Sequence, residues 1–353
     1  PASLLLRANR PDPKPPSRTT SNRRQRITIR DVAHEAGVSV GTVSKAINGT
    51  GSLKAETRQR IVNVANRLGF KPNNLAQSLH REHSSTVGLI SNDNFGRFTL
   101  PIMQGLEAVL ADEGFVVFMA NAADSHEKEV ASIDRLVSKQ VDGLVFTSRR
   151  SDKRAPVNVH GIPAVFVYTQ SETEDSFSLI PDDQGGAKLA VNHLIETGKR
   201  RIAHVTGPER FEAVRLRRAG YRQALDDHGL PYDERHCLIG EWKGGWGRTA
   251  VEQLFDGKNE PPDAIFCGND QIARGVVDAL KRRGMRIPDE VAVVGFDNWS
   301  VITEETQPRL TSVDMNLYEL GHEAGRHLLK MIHGETFTGV LRLPCTLVKR
   351  EST

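Results

Sequence analysis

Cysteines, aromatic residues and long apolar runs are all scarce in this chain of 353 residues. Its three cysteines, Cys237, Cys267 and Cys345, are odd in number and scattered, with no C-x-x-C pair. That points to a reducing compartment and away from a disulfide framework or a zinc site. No apolar run approaches the length needed to span a bilayer, and the leucines at Leu4-Leu5-Leu6 are too few for a secretory signal, so a cytoplasmic protein with no membrane partner is expected. The phosphate-loop pattern G-x-x-x-x-G-K-[ST] is absent, and Gly244-Gly245-Trp246-Gly247 lacks dinucleotide spacing. His322 and His327 lie five apart rather than four, so they do not share a helix face as zinc ligands. No catalytic residue, metal or cofactor is expected. A net charge of +3 excludes a uniform polycation. The charge is uneven, however: residues 1–26 carry Arg7, Arg10, Lys14, Arg18, Arg23, Arg24 and Arg26 against Asp12 alone. Such a Pro-, Ser- and Arg-rich stretch is expected to be a disordered extension. It is either a source of non-specific phosphate contacts or a solvated tail.

What is present is organised. The length suits a small module joined to a larger two-lobed body. The stretch Ile27–Asn48 reads as two short helices joined by a tight turn. Thr28 with Asp31 forms a capping box, Gly37 ends the first helix in the left-handed conformation, and Ser39 caps the second. Val32, Ala33 and Ala36, then Val43 and Ile47, give the inward faces. Val40, Gly41, Ser44 and Lys45 remain outside. A third helix over Ala55–Leu68 places Ile61, Ala65 and Leu68 on one face, and Asn48-Gly49 closes the second helix. This is the geometry that lets a helix enter a DNA major groove. Two other readings compete: an ordinary helical hairpin, and a hydrolase nucleophile elbow, because Gly37-Val38-Ser39-Val40-Gly41 matches G-x-S-x-G. The elbow needs a strand before its serine, and here a capped helix precedes it.

The residues TIRDVAHEAGVSVGTVSKAING and ETRQRIVNVANRLGFKPNNLAQSL resemble the lactose-repressor (LacI/GalR) family of bacterial transcription regulators, and the resemblance runs from about Ile27 to Thr353. It implies a homodimer that binds operator DNA, in a cytoplasmic, nucleoid-associated setting, with a small-molecule effector that is a sugar or sugar derivative. The DNA-binding residues it implies are Thr28, Ser39, Val40, Gly41, Thr42, Ser44, Lys45, Asn48, Asn73 and Leu79. It also implies that Asn74–Leu79 forms a hinge turn whose Leu79 wedges between base pairs, the stacking loss being offset by wider contact with bent DNA. Val40 and Gly41 have no side chain that reads a donor–acceptor code, so Lys45 is the candidate for a guanine contact. Lys54 stands where the family usually has a serine cap, with Ser52 as the substitute.

From Thr86 onward, short apolar strands alternate with amphipathic helices, in two sets. This predicts an α/β core of two doubly wound parallel-sheet lobes behind an all-α headpiece, with ligands at the carboxyl ends of the strands. The resemblance agrees, since GLIS, VDGLVFTS, GIPAVFVY, HLIETGKRRIAHVTGP, AIFCGNDQIARGVVDAL and IPDEVAVVGFDN look like a periplasmic-binding-protein-like core. The expected organisation is an extension (1–26), headpiece (27–70), hinge and linker (71–85), a first lobe over 86–182 and 314–333, and a second over 183–311 and 337–353. The effector residues the resemblance implies are Asp297 and Arg217 as ligand clamps, Asn269 at a strand end, Trp242 as a stacking face, and Phe98, Thr99 and Tyr168 from the first lobe. Asp182 is a further candidate at the crossover. Against these stand plain structural roles: a half-buried Trp242, a capping Asp297 and an ion-paired Arg217. The chain departs from the family at Gly96-Arg97-Phe98-Thr99 and at Tyr168, both on the first-lobe wall. Arg97 with Arg217 suggests an acidic or phosphorylated sugar. The competing functions are a periplasmic-type solute receptor and an enzyme on the same fold; no leucine heptad that would make tetramers is apparent.

Overall fold

The structure, a computed structural model, describes residues 27–70, 84–258 and 260–353. The expected extension, Asn73, Leu79 and the expected hinge turn lie outside the described residues. The chain divides into two compact units.

The smaller unit is a three-helix module: α1 (Ile29–Ala36), α2 (Val40–Ile47) and α3 (Ala55–Leu68). The Asp31 carboxylate accepts from both the backbone N–H and the hydroxyl of Thr28, at 2.7 Å each, and Gly37 ends α1 at φ 62°. Ser39 Oγ caps α2 by accepting from Thr42 N. Val32, Ala33, Ala36, Val43, Ala46, Ile61 and Ala65 form the core, with Ile47 and Leu68 packed against it. The expected substitute cap at Ser52 is absent: α3 begins after Lys54 with no side-chain cap. Arg58 instead serves the end of α2, donating to the carbonyls of Lys45, Ala46, Thr50 and Gly51.

The larger unit holds two α/β lobes. The first is built from β1 (Thr86–Ser91), α4 (Thr99–Asp112), β2 (Val116–Asn121), α5 (His126–Ser138), β3 (Gly143–Thr147), β5 (Ala164–Val167) and β7 (Phe177–Pro181), beside a two-stranded pair, β4 (Lys153–Arg154) and β6 (Gln170–Ser171). The second follows with α6 (Asp183–Glu196), β8 (Ile202–Thr206), α7 (Glu212–Asp227), β9 (Cys237–Ile239), α8 (Gly244–Leu254), β10 (Ala264–Cys267), α9 (Asp270–Arg282), β11 (Ala292–Phe296), α10 (Ser300–Thr303) and β12 (Thr311–Asp314). Next, α11 (Leu317–Ile332) and β13 (Gly339–Leu343) return to the first lobe, and β14 (Thr346–Val348) closes the second. The sheet orders are β13-β7-β5-β3-β1-β2 and β14-β12-β11-β10-β8-β9. All neighbours are parallel except β12 with β14. Strands such as β3, β8 and β11 are buried along their whole length, as parallel strands covered on both faces must be.

One expectation about the lobes needs correction. The stretch 337–353, expected in the second lobe, is divided: Gly339–Leu343 pairs with Phe177–Pro181 in the first sheet. α8 opens on Gly244-Gly245 and carries Gly247; these glycines, poor helix formers in isolation, are needed where α8 meets α9. A Cβ on Gly247 would lie 2.2 Å from the Ile272 carbonyl oxygen. The same solution joins α4 to α11, where a Cβ on Gly105 would lie 1.9 Å from the carbonyl oxygen of Tyr318.

His204, on β8, is fully buried between Phe266 and Tyr221, and its Nδ1 lies 3.0 Å from the Phe266 carbonyl oxygen. Burial pushes its pKa down from 6.5 to about 4, so the ring is neutral and Nδ1 donates to that carbonyl. In the unfolded chain the ring takes up a proton below pH 6.5. Its contribution is therefore intact above that pH and is lost as the pH falls toward 4. Between pH 7.5 and 5 this amounts to about 2 kcal/mol, because each tenfold change in proton affinity is worth about 1.4 kcal/mol. Urea unfolding of His204→Leu should show a loss smaller than that of the parent by about this amount; equal losses would exclude His204 as the source. The comparison cancels contributions from other titrating groups.

Candidate functional site

In the headpiece, Thr28, Ser39, Val40, Gly41, Lys45 and Asn48 are exposed, and Thr42 and Ser44 are half-buried. Val40 and Gly41 open α2 and Lys45 lies just over one turn further on. Among the described residues, the Lys45 ammonium group has no ion-pair partner. The hydroxyls of Thr28, Ser39 and Thr42 are engaged locally, with Asp31 or with one another. The amide of Asn48 donates to Ser44. Arg58 holds the end of α2 to the loop that follows it, and sequence reading missed this role. A cation thirteen residues away that serves carbonyls leaves no periodic signature.

In the larger unit, a cavity of about 600 Å³ opens between the lobes at the carboxyl ends of the strands. Phe98, Tyr168, Arg217, Trp242, Asn269 and Asp297 all line it. Tyr168 follows β5 and Asp297 follows β11, with φ of 57° and 101°. Positive φ is costly for residues other than glycine and clusters at functional sites. Phe98 and Tyr168 stack with ring centroids 4.9 Å apart, giving the first lobe an aromatic wall. Trp242 and Phe211, with centroids 6.3 Å apart, give the second lobe another. Trp242 lies flat on Gly207, where a Cβ would come within 2.3 Å of the indole.

Arg217 is only 2% exposed. Its Nε donates to Asp183 Oδ1 at 2.8 Å, another nitrogen lies 2.7 Å from the same carboxylate, and Nη1 donates to the Gly268 carbonyl. The guanidinium lies over the Phe296 ring at 3.6 Å and approaches Asp297 at 3.7 Å. Burial opposes its charge, but Asp183 and Asp297 outweigh burial and hold its pKa above the ordinary arginine range. Arg97, from the first lobe, pairs with Asp297 and stacks over Trp299 at 4.4 Å. Burial raises the Asp297 pKa against the lowering pull of Arg97 and Arg217. Asp270, the first residue of α9, is pushed up to about 8 by burial and by Asp297. It accepts from Ser312 Oγ and Trp299 N. Two further polar contacts cross the cleft: Ser151 Oγ to Asp183 at 3.5 Å, and Glu212 N to Asp152 Oδ1 at 2.7 Å.

Two expected ligand contacts do not line the cavity. Thr99 is buried inside the first lobe, its hydroxyl bonded to Ser91 Oγ at 2.7 Å. Asp182 caps α6 by accepting from Gly185 N, and its neighbour Asp183 is the one that meets Arg217. Asn269 lines the cavity, but its side-chain oxygen caps α9 by accepting from Ile272 N. Arg97 and Arg217, read together as an acid-binding pair, are each already matched by an aspartate. Sequence reading missed Asp183, Asp152, Arg150, Arg210 and Phe211. Among the described residues, Glu319, His322 and Glu323 on α11 bring possible metal-ligand atoms within 4.8 Å of one another, but Glu323 is committed to Arg326 and His327.

A three-helix module with an exposed second helix, carried by a chain whose body is a two-lobed ligand cleft, defines the class of ligand-responsive DNA-binding regulators. Residues 28–73 match the bacterial regulatory proteins of the lacI family, and residues 191–353 match the periplasmic binding protein-like domain. The chain is 32% identical over 336 residues to catabolite control protein A of Priestia megaterium, covering 93% of this chain and 99% of that one. A solved complex of the transcriptional regulator CelR with cellobiose is 31% identical, with a TM-score of 0.64, and covers 93% of this chain and all of that one. The lac repressor dimer bound to operator and an anti-inducer is 26% identical, with a TM-score of 0.75, over 93% and 99% of the two chains. The chain belongs to the LacI family of bacterial transcription regulators.

The two neighbouring aspartates should respond differently to substitution. Asp183→Asn leaves the buried Arg217 with only the more distant Asp297, which it shares with Arg97, as counter-charge, and should cost up to about 3–5 kcal/mol of stability. Asp182→Ala removes only a helix cap and should cost about 1 kcal/mol. Chemical denaturation separates the two, and equal costs would contradict the assignment of Asp183 as the partner of Arg217.

Proposed function

We propose that this protein is a sequence-specific repressor whose operator affinity is set by a small carbohydrate-like effector bound between the two core lobes. The observation that carries the effector half is the cleft itself. Aromatic residues from both lobes line it together with a few polar groups, the make-up of a small-ligand site and one suited to a sugar. The cellobiose held by the CelR relative supports the same ligand class. Phe98, Tyr168, Trp242, Arg217, Asn269 and Asp297 are the residues proposed to meet the effector, Arg217 and Asn269 acting from positions already fixed by protein contacts.

The DNA half rests on α2. Val40 and Gly41 contribute shape and Lys45 a donor to base edges, while Thr28, Ser39, Thr42, Ser44 and Asn48 supply backbone contacts. Asn73 and Leu79, proposed for the adjoining minor groove, rest on the sequence alone. We read the chain as a homodimer. In support, the edge strand β2 exposes Val116, Phe118 and Met119, and the lac repressor relative was solved as a dimer on operator. No described helix is long and apolar enough to cross a membrane, which is compatible with a cytoplasmic regulator; no catalytic role is proposed.

Binding-site selection from random duplexes, followed by gel shift against non-specific competitor, tests this reading. A pseudo-palindromic site should emerge and bind at least about a thousandfold tighter than random DNA. Affinity that depends on salt but not on sequence would overturn it. Within the selected site, Lys45→Ala should relax preference at one base pair in each half, costing about 1–3 kcal/mol there. Unchanged preference would remove Lys45 from the set of base-reading residues.

A further inference from the structure

We infer that the effector carries an anionic group, a carboxylate or a phosphate, and that Arg150 of the first lobe and Arg210 of the second hold it at the mouth of the cleft. The inference rests on the reading of the cleft as an effector site and adds the chemical class of the ligand.

The charges that line the cavity carry it. Arg97 is matched by Asp297, Arg149 by Asp124, Arg217 by Asp183 and Lys243 by Glu241. The Asp152 carboxylate accepts from the backbone of Glu212, and Glu212 pairs with Arg215. Arg150 and Arg210 remain. Among the described residues, neither guanidinium has a carboxylate partner or a side-chain hydrogen bond. Both lie over the ring of Phe211, at 5.5 Å and 4.5 Å from its centroid. A guanidinium stacked on an aromatic face keeps its N–H edge free for a bidentate acceptor. Two like charges over one ring repel each other, and an anion bound by both would remove that repulsion. Both arginines line not only the central cavity but also the adjoining hollow of about 790 Å³, which leaves room for a charged substituent.

The groups a neutral sugar would use are, by contrast, partly committed. Arg97 occupies Asp297, the α9 cap occupies the Asn269 oxygen, and Asp183 with the Gly268 carbonyl occupies Arg217. Among the described residues that line this cavity, Arg150 and Arg210 are the charged donors without an acidic partner. One comes from the loop after β3 and the other from the loop before α7, so a ligand that engages both also ties one lobe to the other.

Titration calorimetry on the full chain tests this at matched ionic strength. The probes are hexoses and disaccharides, including glucose and cellobiose, with the matching 6-phosphates and uronic or aldonic acids. At least one charged form should bind more tightly than its neutral parent. Arg150→Gln/Arg210→Gln should weaken it roughly tenfold or more, and Arg150→Lys/Arg210→Lys should recover part of the loss. Neutral sugars should bind the double glutamine variant within about twofold of the parent, since they make no charge-assisted contact. Whether phosphates or acids bind decides which anion is used. Neutral sugars that bind while their charged forms do not, or a charged sugar indifferent to the double substitution, would overturn the inference and leave the effector reading intact. Binding by none of the three classes would overturn both.

Discussion

The cleft depends on one buried guanidinium. Arg217 sits at 2% exposure where the carboxyl ends of β10 and β11, the start of α6 and the crossover at Met315 meet. Burying such a charge costs several kcal/mol unless it is paired and hydrogen-bonded. Asp183 supplies the pair, the Gly268 carbonyl supplies a further acceptor, and Phe296 supplies a face. Once Arg217 is fixed, Asp297 is held beside a cation, in a backbone conformation it would not otherwise favour. The aromatic and polar groups of the second-lobe wall are arranged around this centre.

The lobes also meet through the protein's own groups. Arg97 reaches Asp297, Ser151 reaches Asp183, and Asp152 caps the start of α7. A ligand that uses Asp297 must therefore compete with Arg97 or share the carboxylate with it. The effector then acts by its difference in affinity between lobe arrangements, since equal binding to both would shift nothing. Coupling energies of about 1–3 kcal/mol are typical of such systems. A close charge pair can couple by about 1.5–7 kcal/mol, enough to supply that amount.

Much of this was legible in the sequence, for identifiable reasons. The headpiece was, because its signals are local: a capping box at Thr28 and Asp31, a left-handed glycine at Gly37, a cap at Ser39. So were the strand ends that place Tyr168, Asn269 and Asp297, because burial on both faces produces unbroken apolar runs. Asp183 was missed by one position. At a helix start, adjacent aspartates differ only in helical phase, and the one that caps is not the one that points inward. Thr99 was misplaced for the same kind of reason, turning into the lobe beside Ser91. The position of β13 depends on which sheet a returning chain joins, and no local pattern encodes that. Nothing in the local sequence separates Arg150 and Arg210 from ordinary surface charges. Among the described residues, the pairing of the other cations that line the central cavity sets them apart.

The central claim is that the charges across the cleft govern the DNA-binding state. The most direct measurement is the affinity of the full chain for its selected operator, with no sugar present, for the parent and for Arg97→Met. The substitution removes a pair that joins the lobes and leaves the headpiece sequence untouched. Operator affinity should change by roughly fivefold or more, the lower end of typical coupling energies, with the site preference kept. An affinity unchanged within error, in a variant that folds normally, would contradict the claim.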